Sequence, residues 1–207
     1  MSLAPKLINP RKLPGQARSR AMVETILDAT ARVLTKRGFS ETTTNAVADQ
    51  AGISIGSVYQ YFPSREALVA AVARRHSERL KGTLEAELTN SGRLPLGAAL
   101  DHLMQTVAAA HKVDPALNRV LAEELPRLGT LDWKTESGRR GVAMVQAFLD
   151  QHRDEVRPDL DDATASFLIT TLVEGALNAA YRHGEAAPSG RALSRELTNL
   201  IHRYIAR

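Results

Sequence analysis

Side chains able to do covalent or acid–base chemistry are too scattered in this chain to build a reaction centre. His76, His102, His111, His152, His183 and His202 follow no metal-ligand spacing, no cysteine is available as nucleophile or ligand, and no glycine-rich loop could cradle a phosphate. Glu123 and Glu124 are adjacent and so point to different sides of a helix. These features argue against an enzyme, a bound metal and a cofactor. Hydrogen-bonding chemistry is instead concentrated in residues 42–62, TTTNAVADQAGISIGSVYQYF, where hydroxyls, amides and two phenols surround a glycine. Such side chains, displayed on a short helix, are suited to reading nucleic acid.

The elements that must position them are legible from residue types. Thr43 can cap a first helix with Val47, Ala48 and Ala51 inward, and Gly52 supplies a turn residue that tolerates positive φ. Ile53 plugs the angle, Ser54 caps a second helix, and Val58 and Phe62 face the core one turn apart. Ile55, Gly56, Ser57, Tyr59, Gln60 and Tyr61 are left mostly outside. A seven-residue helix is not stable alone, so flanking helices must impose it. Upstream, Val23, Ile26, Leu27, Thr30, Val33 and Leu34 form a one-sided stripe that Lys36, Arg37 and Gly38 terminate. Downstream, Ser64 is placed to cap a helix over 65–88 with Leu68, Val72, Leu80, Leu84 and Leu88 on its stripe.

The run from Ile26 to Val72, with Gly38-Phe39, Thr43, Ala48, Ala51-Gly52, Ser54, Gly56, Tyr59, Tyr61-Phe62, Ser64, Arg65-Glu66 and Leu68, resembles the DNA-binding domain of TetR-type transcriptional regulators. The resemblance covers under a quarter of the chain, on a highly specific motif. It implies a homodimer of all-helical subunits, a C-terminal ligand-sensing domain, and repression that a small molecule relieves. By that resemblance the second helix of the motif enters the major groove of a double-stranded operator. Ile55, Gly56, Ser57 and Gln60 are then candidates for base edges: Gln60 for an adenine edge, Ser57 for either base type, Ile55 for a thymine methyl, Gly56 for close backbone approach. Thr44, Ser54, Tyr59, Tyr61 and Arg65 suit phosphates, with Tyr59 able to do either.

Charge agrees with this division. The chain carries +4 overall, of which the segment to Arg65 holds +5, so a basic front precedes a nearly neutral remainder. Residues 1–20, with Pro5, Pro10 and Pro14 among Lys6, Arg11, Lys12, Arg18 and Arg20, are expected as a flexible basic arm, either touching DNA or merely solubilising. Residues 21–65 then form the helix-turn-helix domain, and 66–207 a helical effector-binding and dimerisation domain. Prolines divide that body into helices over about 97–113, 116–128, 134–155, 160–183 and 189–206. No segment alternates as a strand, so the fold class is all-α.

No stretch approaches the roughly 20 apolar residues of a membrane span, and the N-terminus lacks a signal-peptide core, so the expected location is the cytoplasm. The helix over 163–181 is apolar nearly all round, and the last helix carries a stripe. Together they predict a two-fold interface containing Phe167, Ala176, Ala180, Leu193, Leu197, Leu200, Ile201 and Tyr204. A sensor pocket is expected between about 97 and 156, lined by His102, Met104, Leu121, Trp133, Met144 and Phe148, though such residues at helical spacing also make core. A helical DNA-binding protein without an effector, organising chromosomes or docking a protein partner, is the rival expectation.

Overall fold

The computed structural model describes residues 17–110, 112–128 and 136–207. Among the described residues it has nine α-helices, one 3-10 turn and no strand, with a single isolated antiparallel bridge between Val156 and Ala206. The helices are α1 (Ala17–Glu41), α2 (Thr44–Ala51), α3 (Ile55–Tyr61), α4 (Arg65–Ser91), α5 (Leu96–Ala110), α6 (Pro115–Leu128), α7 (Glu136–Gln151), α8 (Asp162–His183) and α9 (Gly190–Ile205). They form two compact units, one of residues 1–76 with 116–131, the other of residues 77–115 with 132–207.

In the first unit Ile26, Leu27, Ala29 and Leu34 of α1 meet Val47 and Ala48 of α2, Val58 of α3, Phe62, and Leu68, Val69 and Val72 of α4 in one apolar core. Leu117 and Leu121 of α6 belong to the same core, and the His76 ring meets the Asn118 side-chain oxygen at 2.6 Å. The unit therefore departs from the expected boundary at residue 65. Leu68 and Val72 lie beyond that boundary yet belong to this core, and a helix from much later in the chain completes the burial. On α4, Arg75 bonds Glu24 at 2.9 Å and Asp28 at 2.8 Å, one turn apart on α1.

The expected arm also ends early. α1 begins at Ala17, so Arg18 and Arg20 are helical, because Met22 and Val23 already pack on the core and Ser19 is tied to α3. The rest of the arm lies outside the described residues. Gly38 interrupts α1 with φ 76° and ψ 178°, a conformation essentially restricted to glycine. The Thr42 hydroxyl donates to the Gly38 carbonyl at 2.7 Å and fixes the break.

In the second unit, Leu96, Leu100, Met104 and Val107 of α5 pack with Phe148 and Leu149 of α7, Ala165 and Ile169 of α8, and Leu197, Ile201 and Ile205 of α9. The Leu96 amide donates to the Glu155 carboxylate at 3.0 Å, satisfying a free donor at the start of α5. Asp161 caps α8 by accepting from the Thr164 amide at 2.7 Å. Contrary to the sequence expectation, α8 is long and apolar enough by length and composition to cross a membrane, at 22 residues and mean hydropathy 1.2. Phe167, Leu168, Ile169, Leu172, Val173 and Leu177, with several alanines, raise that mean between Asp162 and the Arg182-His183 end. Only 17% of its most apolar 18-residue stretch is buried within the chain.

Candidate nucleic-acid interface

The helix pair at residues 44–61 is assembled by local chemistry. Thr43, extended at φ −83° and ψ 159°, accepts from the Ala46 amide at 3.1 Å and starts α2. Gly52 takes the left-handed conformation at φ 66° and ψ 33°, which turns its amide toward the Ala48 and Asp49 carbonyls and ends the helix. Ile53, partly buried against the core, follows, and Ser54 accepts from the Ser57 amide at 3.2 Å to start α3. Val58 and Phe62 are fully buried, as the spacing predicts.

That anchoring fixes what α3 shows to solvent. Ile55 is 37% and Tyr59 42% exposed, Gly56 and Gln60 are exposed, and Ser57 is half-buried. α3 carries no acid. The Thr44 and Tyr59 hydroxyls share a hydrogen bond at 3.1 Å on the exposed side, so the start of α2 and the middle of α3 present two hydroxyls together. The Ser54 and Ser57 hydroxyls are likewise paired, at 2.9 Å. A Cβ added at Gly56 would meet only Ser54 Oγ, at 3.8 Å, and the residue has no positive φ. Among the described residues, neither space nor backbone conformation calls for a glycine there.

Two expected phosphate contacts sit differently. Tyr61 is buried at 8% exposure rather than outside, its ring in the core and its hydroxyl bonded to Ser19 Oγ at 3.0 Å. The extra N-terminal turn of α1 supplies that partner. Arg65 is engaged within the chain: its Nη1 donates to the Ser40 carbonyl at 3.2 Å, its Nε to Glu66 at 3.3 Å, and its guanidinium lies 4.4 Å over the Phe39 ring. For the Glu66 carboxyl, burial pushes the pKa up, but its own amide, the Ser64 hydroxyl and Arg65 hold it below the usual carboxylate value. The spacing signal missed Ser19, which lies upstream of the run from Ile26 to Val72, and it gave Phe39 a place in that run but no partner.

The expected pocket residues do not converge. His102 is exposed and faces Glu87 at 3.0 Å, Met104 and Phe148 are packed core, and Met144 is half-buried. Leu121 belongs to the core of the first unit, since α6 packs there, and Trp133 lies outside the described residues. The sequence reading overlooked a charge cluster in the second unit. Glu78, Lys81 and Glu85 recur along α4, and Arg140 of α7 bonds both glutamates. Lys81 is buried, which lowers its ammonium pKa, an effect that Glu174 and Glu78 oppose.

Of the expected interface residues, Leu197 and Ile201 are turned into the chain's own core, because α9 packs that side on α5. Ala176, Leu193 and Tyr204 pack partly against the same core, and Ala180 is half-buried. Leu200 is 54% exposed, and Phe167 and Leu168 also face outward.

Comparison with known proteins agrees with this architecture. Residues 26–72 match the family model for bacterial regulatory proteins of the tetR family, and residues 95–205 match the tetracyclin repressor-like C-terminal domain. The chain is 30% identical over 96 residues to the HTH-type transcriptional repressor KstR of Rhodococcus jostii, a stretch that is 46% of this chain and 43% of that protein. It thus spans less than half the length of that relative. Among solved structures, a TetR-family transcriptional regulator from Mesorhizobium loti superposes with a TM-score of 0.72 at 20% identity, over 93% of this chain and all of that one. SmeT, the repressor of a Stenotrophomonas maltophilia multidrug efflux pump, gives 0.69 at 22% identity, over 89% and 90%. At those identities the likeness is one of fold. Since the C-terminal model alone covers over half of the residues and the N-terminal model falls on the helix pair just described, the chain belongs to the TetR family of bacterial regulatory proteins.

Proposed function

We propose that the protein is a cytoplasmic repressor that binds a near-palindromic operator as a homodimer and leaves it when a small molecule binds the second unit. In this reading Ile55, Gly56, Ser57 and Gln60 face base edges, while Thr44, Ser54 and Tyr59 hold phosphates. The observation that carries it is Gly56. A glycine in the first turn of a seven-residue helix costs up to about 1 kcal/mol relative to alanine, and nothing among the described residues requires it. Its reason then lies outside the chain, in a surface that approaches the backbone closely. The neighbouring exposed Ile55, Tyr59 and Gln60 give that surface apolar and hydrogen-bonding contacts.

Paired recognition helices about 34 to 36 Å apart would meet successive major grooves, so the operator should be near-palindromic. The outward apolar face of α8 with Leu200 supports a two-fold partner. A repressor is favoured because KstR and SmeT are both repressors.

The test begins by selecting an operator from a randomised duplex library. Gly56→Ala is then expected to raise the thermal midpoint by a few degrees while weakening operator binding about tenfold, two effects of opposite sign. Gln60→Ala should erase discrimination at one or two base positions, about 1–3 kcal/mol for a bidentate pair. Unchanged operator affinity in Gly56→Ala would remove the main support for this reading.

A further inference from the structure

We propose that Arg65 is a positioning residue for DNA reading, a brace that closes the chain on either side of the helix pair. This rests on α2 and α3 being the DNA-reading elements. Arg65 and Ser40 are 25 residues apart in sequence, and everything between them is the reading motif with its turns. The guanidinium joins the two ends: Nη1 on the Ser40 carbonyl at the end of α1, Nε and Nη2 on the Glu66 carboxylate at 3.3 Å, and the planar face on Phe39. Only a planar, forked cation can meet a carbonyl, a carboxylate and a ring face together.

The neighbouring backbone gives the brace something to hold. Phe39 and Ser40 follow directly on the Gly38 break, where the backbone leaves helical φ and ψ. The turn is fixed by Thr42, fully buried, whose hydroxyl reaches back to Gly38 and whose amide donates to Phe39 at 3.1 Å. At the other end Ser64 caps α4 by accepting from the Ala67 amide at 3.1 Å, which sets the helix from which Arg65 projects. Arg65 thereby fixes the entry to α2 relative to the exit from α3. Within the chain its charge is met by Glu66.

The experiment uses the full-length protein in three single variants, Arg65→Gln, Arg65→Lys and Phe39→Leu, with the Arg65→Gln/Phe39→Leu double variant. Amide hydrogen exchange is measured without DNA, and affinity is measured for the selected operator. The brace predicts several-fold faster exchange over residues 42–61 in every variant, with exchange in α9 unchanged. It also predicts about tenfold weaker binding for Arg65→Gln, little recovery in Arg65→Lys, and a double variant no worse than the poorer single one. Arg65→Lys and Phe39→Leu preserve charge or apolarity and guard against simple misfolding. A phosphate anchor predicts the reverse: a salt slope lowered by about one in Arg65→Gln, near-normal binding in Arg65→Lys and Phe39→Leu, and unchanged exchange. That pattern, or additive losses in the double variant, overturns the proposal. The exchange measurement needs no operator, so an error about DNA reading shows up as absent binding in the parent protein, separately from the fate of the brace.

Discussion

Gly52 and Gly56 lie four residues apart, yet the fold treats them oppositely. Gly52 holds φ 66° with open space where a Cβ would stand, so an alanine there meets no atom and suffers only from the backbone. Gly52→Ala is therefore expected to lose about 1–2 kcal/mol of stability, and Gly52→Asn less, since asparagine tolerates the left-handed region. Urea unfolding of the three proteins checks the order. Thr43, Gly52 and Ser54 were legible in the sequence because capping and turn geometry depend on neighbours within four residues. Tyr61 and Arg65 were not. Their surroundings are set by Ser19 and by Phe39 and Ser40, residues the chain brings back only after α1 has folded.

Helix ends follow the same logic one level up. Proline and cap spacing placed the limits of α4 to α9 within a few residues, and Asp161 shows what a cap adds to the physical behaviour of an element. Its carboxyl is held below the ordinary aspartate value of 3.8 chiefly by the Thr164 amide, then by the Thr164 hydroxyl, with slight desolvation opposing. A depressed folded pKa means that the cap contributes fully above the ordinary value and is lost as pH falls through the lowered one. Asp161→Asn keeps a capping oxygen but cannot titrate in that range. Thermal unfolding measured from neutrality down into acid should thus coincide for the two proteins at neutral pH, with a shallower acid decline in the variant. Which side of a helix faces its own core was less legible. The α9 stripe is real, but α5 takes Leu197 and Ile201 and leaves Leu200 outside, a choice that depends on an element a hundred residues earlier.

For the molecule as a whole, the outward face of α8 sets the quaternary prediction. Phe167, Leu168 and Leu200 expose large apolar surface that a second copy would cover. Leu168→Glu with Leu200→Glu should halve the mass seen by light scattering and weaken operator binding, because each half-site then binds alone. A mass unchanged by both substitutions would exclude this face as the interface. All-helical architecture was legible from periodicity throughout, whereas the composition of the two units was not, since nothing local marks α6 as a companion of α1 and α4. That companionship has a consequence during synthesis. When a ribosome has made residues 1–76 it has finished all the residues proposed above to face DNA, yet Leu117 and Leu121 do not exist and part of the apolar core stands open. The nascent N-terminal segment must wait for some fifty further residues before its burial is complete. Grafting only residues 1–65 onto another protein would make that unfinished state permanent.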